Sequence, residues 1–306
     1  MHHNNIIDNI NEKNKLRNKV LSQLILIRKP KINNAKMLIG FSGCMNGGEV
    51  STGTIDYIRN KLKAIKFAEI KANRFYIFNF PASIELASEF RPNTRIENGI
   101  LKNFDFPKNE FYYHQESNLI LFKGKEPNIN WEEYANHLFK VGERYNLQRV
   151  YFMGNVAAAT PHTRAIRTSC YCSKEELKEE VRAHGIKFTM YEGPGSISTY
   201  LTHLARLKGI EMINFIAEIP IYIQSENPKA IKMMAEKLIK LLDLNIDTDD
   251  LTRRNLAFEK RINELLKHQP LLMEEIKKLE ENYDQEFFNN KGGFEEWLKR
   301  KGIDKL

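Results

Sequence analysis

The chain has 306 residues, of which 42% are hydrophobic, 28% charged and 10% aromatic, enough apolar surface for one sizeable core without staples. Lys and Arg number 47 against 39 Asp and Glu, a formal net charge of +8, yet the densest cationic pieces, IRKPK at 27–31 and LKRKG at 298–302, are short. The absence of a concentrated basic stripe argues against a nucleic-acid partner. Three cysteines without a C-x-x-C pair argue against a disulfide framework or a zinc site.

The first residues are polar and include acidic side chains, so they do not read as a secretory signal, and residues 1–18 are expected to form a flexible arm. No early apolar run approaches the length of a membrane span, so a cytoplasmic protein with no membrane contact is expected. Two strands, 21–30 and 35–43, come next. Ile55, Ile58, Leu62 and Ile65 repeat at helical spacing and predict a helix over 53–65. RFYIFNF at 74–80 alternates as a strand, and a loop-rich stretch with Pro92 and Pro107 runs from Pro81 to Glu110.

A strand over 117–127 ends at Gly124 and Pro127. Asn130 with Glu133 reads as a capping box opening a helix whose stripe is Trp131, Leu138, Val141 and Tyr145. A buried strand covers 149–159. Ser173 with Glu176 repeats the capping signal before a solvated helix closed by Gly185. Next come a strand over 187–193, a helix over 196–209 with Ile197, Leu201, Leu204 and Leu207 inward, and a strand over 211–220. Asn227 and Pro228 then open a helix that runs through Leu242. Strand and helix in turn predict a three-layer α/β/α sandwich with a mostly parallel central sheet over 19–250. Residues 251–306 carry no strand signal. They read as a helical appendage, broken near Pro270, that serves as an oligomer or partner contact.

Three bends carry the candidate chemistry. GFSGCMNGGEVSTGT at 40–54 joins a strand to a helix, where free N–H groups attract anions. Asn46, Gly47 and Gly48 are its candidate anion-binding residues. No Lys-Ser/Thr follows the glycines, the spacing is not G-x-G-x-x-G, and Glu49 repels phosphate, so a tight packed turn is the alternative. YEGPGSIS at 191–198 places Glu192 beside a Gly-Pro-Gly bend, either as a general base or as an ion-pair partner for Arg164. ATPHTRAIR at 159–167 offers His162 as a base and Arg164 with Arg167 as an anion clamp. The expected role is a hydrogen-bonded corner closing the end of a central strand. All three bends are expected at one rim of the sheet, where they brace it.

Cys170 and Cys172 would share one face of a strand and read as a pair of small, semi-apolar residues. FYYH at 111–114 reads as core or interface packing. No H-E-x-x-H, G-x-S-x-G or EF-hand pattern occurs, so neither a metal nor a cofactor is expected.

GFSGCMNGGEVSTGT, NLILFKGKEPNINWEEYA, VYFMGNVAAATPHTRAIRTSC, YEGPGSISTYL and AEIPIYIQSENPKA occur in this order, followed by a helical tail, over about residues 21–285. In this combination the chain resembles the PAC2 family. Its members are proteasome assembly chaperone 2-like proteins, classed as a domain of unknown function and in places labelled ATP-grasp-like. The resemblance implies an α/β/α sandwich similar to the phosphorylase/hydrolase-like fold, self-association into homo-oligomers, and proteasome or proteasome-like subunits as partners. It supplies no catalytic residues. Relatives that bind proteasomes often end in a hydrophobic-Tyr-any tripeptide, whereas this chain ends IDKL with Lys305 in the penultimate place, so tail docking does not carry over. The expected function is therefore a non-catalytic interaction or assembly protein. The alternative is an enzyme or ligand-binding protein for a nucleotide or phosphorylated metabolite. There the 40–54 turn would hold an anion, Arg164 would clamp it, and His162 or Glu192 would move a proton.

Overall fold

Strands with apolar residues on both faces belong between two helical layers, and this chain has four of them in parallel. The computed structural model describes residues 23–289 except 82, 84–86 and 89, so the expected arm and residues 290–306 of the appendage lie outside the described residues. In chain order the strands are β1 (Leu24–Leu26), β2 (Lys36–Ser42), β3 (Ile65–Ile70), β4 (Asn93–Glu97), β5 (Ile100–Asp105) and β6 (Asn109–His114). They continue with β7 (Leu119–Lys125), β8 (Arg149–Ala158), β9 (Thr168–Cys172), β10 (Lys187–Phe188) and β11 (Glu211–Pro220). The helices are α1 (Val50–Lys61), α2 (Trp131–Glu143), α3 (Leu177–Ala183), α4 (Ile197–Leu207), α5 (Pro228–Leu242), α6 (Asp249–Leu266) and α7 (Pro270–Asn289).

Nine strands form one sheet in the order β1-β3-β6-β7-β2-β8-β11-β9-β10. Its centre, β7-β2-β8-β11, is parallel, and antiparallel pairings add β6 on one side and β9 on the other. Along β2, Met37, Ile39 and Phe41 face α2 and α4, while Leu38 faces α1 and α5. β8 divides in the same way, with Val150 and Phe152 on one face and Tyr151 and Met153 on the other. The result is the expected α/β/α sandwich with the C-terminal helices added. Among the described residues no helix is long and apolar enough to cross a membrane.

Several elements differ from the sequence reading. Lys63 has φ 52° and ends α1 early, so the chain re-enters the sheet as β3, and Ile65 faces solvent instead of extending the helical stripe. Residues 74–80 form no strand. Phe75 packs edge-on against Tyr134 at 5.1 Å, and the Tyr76 hydroxyl donates to Asn109 Oδ1 at 2.8 Å, so the aromatic alternation reports packing of an irregular segment. Asn130 does not cap through its side chain, and Glu133 instead meets Arg74 at 3.5 Å. Ser173 caps no helix either. Its hydroxyl accepts from Met212 N–H at 2.8 Å and donates to Ile210 O at 3.2 Å. Leu207 is exposed, and Ala205 takes its place on the inner face of α4. The predicted caps do form at Ser196, in a capping box with Thr199, and at Asn227, with Pro228 following. Pro270 opens α7 where the break was expected.

One junction fixes how the layers meet. β2 pairs β8 only from Lys36↔Arg149 to Ile39↔Phe152, after which β8 continues to Ala158 beside β11 alone. The opening between them is bridged by buried Ser51, which accepts from Phe41 N–H at 3.1 Å and donates to Met153 O. Gly40 permits this approach, since a Cβ there would lie 2.7 Å from Ser51 O and 2.6 Å from Ile55 Cγ1. Replacing Ser51 with Ala leaves a buried N–H and a buried C=O short of a partner. The expected loss is about 1–3 kcal/mol, read by urea unfolding with an unchanged m-value.

Candidate functional site

Residues 159–167 follow the carboxyl end of β8 and turn the chain into β9, with Pro161 and buried Thr160 at the corner. His162 is 4% exposed and uses both ring nitrogens. Nε2 contacts Asn263 Oδ1 at 3.2 Å, an acceptor, so Nε2 carries the proton. Nδ1 then accepts from the Tyr222 hydroxyl at 2.9 Å. The same Tyr222 oxygen accepts the His162 backbone N–H at 2.8 Å. Burial holds the imidazole below its ordinary pKa, opposed by the Asn263 bond. A neutral, doubly bonded ring has no lone pair left for base catalysis.

Arg164 is equally committed. Nε and Nη2 donate to the two oxygens of Asp284 at 2.8 and 2.7 Å, and Nη1 reaches Glu280 at 3.5 Å. Arg167 pairs with Glu286 at 2.7 Å and lies 4.2 Å from the Tyr283 ring centre, while the Tyr283 hydroxyl donates to Ala165 O at 2.9 Å. Lys229 adds a tie to α6, meeting Glu259 at 3.0 Å and donating to His162 O at 2.6 Å. The corner therefore holds both C-terminal helices, α6 through His162 and Lys229 and α7 through the two arginines. The carboxylate expected to pair with Arg164 is corrected. It is Asp284, aided by Glu280, and not Glu192.

Glu192 lies exposed in the bend after β10. That strand is two residues long, shorter than the expected 187–193, and runs parallel to β9 and opposite to β11, so Glu192 lies beyond its carboxyl end. The end of the bend touches the 40–54 turn through Ser198, whose hydroxyl points at Met45 Sδ at 3.5 Å. Asn46, Gly47 and Gly48 are packed into the junction between β2 and β8. Asn46 Oδ1 accepts Thr52 N–H at 2.9 Å, a donor that an anion at the start of α1 would need. Gly48 has φ 58° and its carbonyl accepts Asn227 N–H at 2.8 Å; a Cβ would sit 2.8 Å from Asn227 Cβ. A Cβ on Gly47 would meet Asn155 and Ile219 at 2.9 Å. The structure thus brings Asn46, Gly47 and Gly48 to the start of α5, beside the corner that carries His162, and points Arg164 away from them.

One exposed apolar element was not read from the sequence. β4 and β5 form a separate two-stranded hairpin in which every residue is exposed, closed by Asn98 and Gly99 at φ 50° and 74°. Positive φ at both turn residues is the geometry that Asn-Gly favours in hairpins, so the dipeptide was the available signal. Ile96, Ile100, Leu101 and Phe104 are 45–66% exposed. At the hairpin's base an open cleft of about 1070 Å³ lies beside the carboxyl ends of β2 and β7, lined by Phe80, Phe90, Arg91, Phe106, Lys108 and Trp131 among others. Phe80 and Phe90 stack there at 5.3 Å.

A mixed sheet between helical layers thus carries an extruded apolar hairpin and a polar corner that ties down the C-terminal helices. The chain belongs to the PAC2 family, whose pattern it matches over residues 40–266. Its fold is similar to that of Rv2714, a Mycobacterium tuberculosis protein of unknown function, with a TM-score of 0.78 at 18% identity over 90% of this chain and 93% of that one. It is also similar to Rv2125 of the same organism, described as a proteasome-assembly chaperone homologue (TM-score 0.66, 24% identity, 75% and 94% covered). A third similar fold is PbaB of Pyrococcus furiosus, described as an archaeal proteasome activator (TM-score 0.61, 20% identity, 79% and 97% covered).

Arg164→Ala removes a two-pronged but partly exposed ion pair, worth about 1 kcal/mol. Amide exchange in α7 is expected to quicken about fivefold while the central strands keep their protection; 1 M salt should act in the same direction. Acid should loosen the same clamp. Burial lowers the His162 pKa, and the hydrogen bond from Arg164 lowers that of Asp284. Both groups bind protons more readily unfolded, so their stabilisation is complete above the ordinary values. It is lost as pH falls below about 6.5 for the histidine and about 3.9 for the carboxylate. Exchange in α6, which bonds His162, should therefore rise first, measured from pH 7.5 downward.

Proposed function

We propose that the protein is a non-catalytic assembly factor that works as a homo-oligomer and binds proteasome or proteasome-like subunits. The observation that carries this reading is the β4–β5 hairpin. A lone two-stranded hairpin is marginal in water, and this one turns Ile96, Ile100, Leu101 and Phe104 to solvent. Contiguous apolar surface of this kind marks a protein contact. Membership of the PAC2 family and the descriptions of Rv2125 and PbaB support the partner class. The use of His162 and Arg164 as structural ties supports a non-catalytic role. In this reading the α/β unit of residues 19–250 carries the hairpin, and residues 251–306 form an appendage that adds a second contact surface.

The test is sedimentation velocity of the purified chain, alone and mixed with purified proteasome subunits and assembled particles. The wild type is expected to sediment above the monomer and to move with subunits at micromolar concentration. A variant with Ile100→Asp and Leu101→Asp should keep its thermal unfolding and lose at least about tenfold in affinity. A monomer that shifts with neither subunits nor particles would overturn the proposal.

A further inference from the structure

Cys170 and Cys172 sit at alternate positions of β9, so both side chains leave the same face of the strand. Cys170 is fully buried against the core under α3, and Cys172 is half-buried beside it. Both line an open pocket of about 570 Å³ together with Lys174, Lys178, Phe188 and Arg206. The function proposed above makes no use of this pair. We propose that Cys170 and Cys172 form a two-thiolate site for a soft monovalent metal ion of the copper(I) class.

The strand geometry separates this from the other chemistry open to two thiols. Alternate residues of a strand are about 6.7 Å apart with parallel side chains, whereas a disulfide needs Cβ atoms near 3.8 Å. β9 cannot contract to meet that need, because Cys170 lies opposite Phe215 in β11 and Phe188 in β10, and Thr189 N–H donates to Cys170 O at 2.9 Å. A bridging ion asks for less. With metal–sulfur bonds of about 2.3 Å, it joins sulfurs up to roughly 4.6 Å apart and leaves the ladder intact. Zinc requires about four ligands, and among the described residues no group of three or more His, Cys, Asp or Glu is placed to hold an ion. Two thiolates, with the Met190 thioether on the same pocket wall, suit a soft ion of low coordination number.

The balance is simple. Two S–H bonds break, two S–metal bonds form, two protons pass to solvent and nothing is oxidised or reduced. The product carries one negative charge at the site. Lys174, Lys178 and Arg206 on the pocket wall offset it, and Glu175 on the same wall is already paired with Lys178 at 2.8 Å.

The test uses the reduced full chain without oxygen, titrated with copper(I) supplied as its bicinchoninate complex. The wild type is expected to withdraw one equivalent, release about two protons, and show two sulfur neighbours by X-ray absorption. Cys172→Ser, checked for unchanged thermal unfolding, should bind at least a hundredfold more weakly, and C170S should behave alike. Cys44 is exposed and lies outside the pocket, so Cys44→Ser should bind as wild type does. A wild type that leaves the chelate untouched overturns the proposal. So does a C170S/C172S double variant that withdraws as much copper as the wild type.

Discussion

The ten-residue parallel register between β8 and β11, from Arg149↔Glu211 to Ala158↔Pro220, sets the rest of the structure. β2 leaves that ladder early, so the far part of β8 has one strand neighbour and an opening on its other side. In open α/β sheets such an opening, where neighbouring strands diverge, is the usual place for a ligand. Here it is filled from within. The Ser51 hydroxyl bridges it, Met45 O accepts Asn155 N–H at 3.1 Å, and Gly47 and Gly48 press against Asn155, Ile219 and Asn227. A glycine-rich turn at this position became a plug because its polar groups found partners inside the protein.

The same ladder carries the chain past β2 before it turns. That places residues 159–167 where the C-terminal helices can be reached, and the contacts made there are mostly polar. Among the described side chains of α7, Ile276 is the buried one and Leu271 is 80% exposed, so ion pairs and one tyrosine bond do much of the holding seen there. Such pairs contribute modestly and answer to salt and acid. The attachment of α7 is therefore softer than the sheet it rests on. α6 is held better, since Tyr57 and Lys61 of α1 both meet Asp250 at its start, at 2.8 and 3.1 Å.

The sandwich was legible because β2, β7, β8 and β11 are continuous apolar runs with helical stripes between them. The antiparallel flanks were not. β6 and β9 are short, with FYYH readable as packing and TSCYC as a pair of small semi-apolar thiols, and only the partner strand makes either a strand. β3 was hidden because the helical spacing carries on through Ile65, and nothing local announces the left-handed turn at Lys63. For the bends, local chemistry foretold the caps at Ser196 and Asn227, which depend on neighbours in sequence. It could not foretell the partner of Arg164, because Asp284 lies 120 residues away. Glu192 was the nearer carboxylate in sequence, and nearness in sequence carries no weight for a contact of that range.

The two outer strands of the sheet, β1 and β10, are three and two residues long. Such stubs offer an incoming strand almost no ladder to extend, a common defence against runaway stacking of sheets. Among the described residues, the longer unpaired strand edges lie instead on the separate β4–β5 hairpin, whose strands run five and six residues.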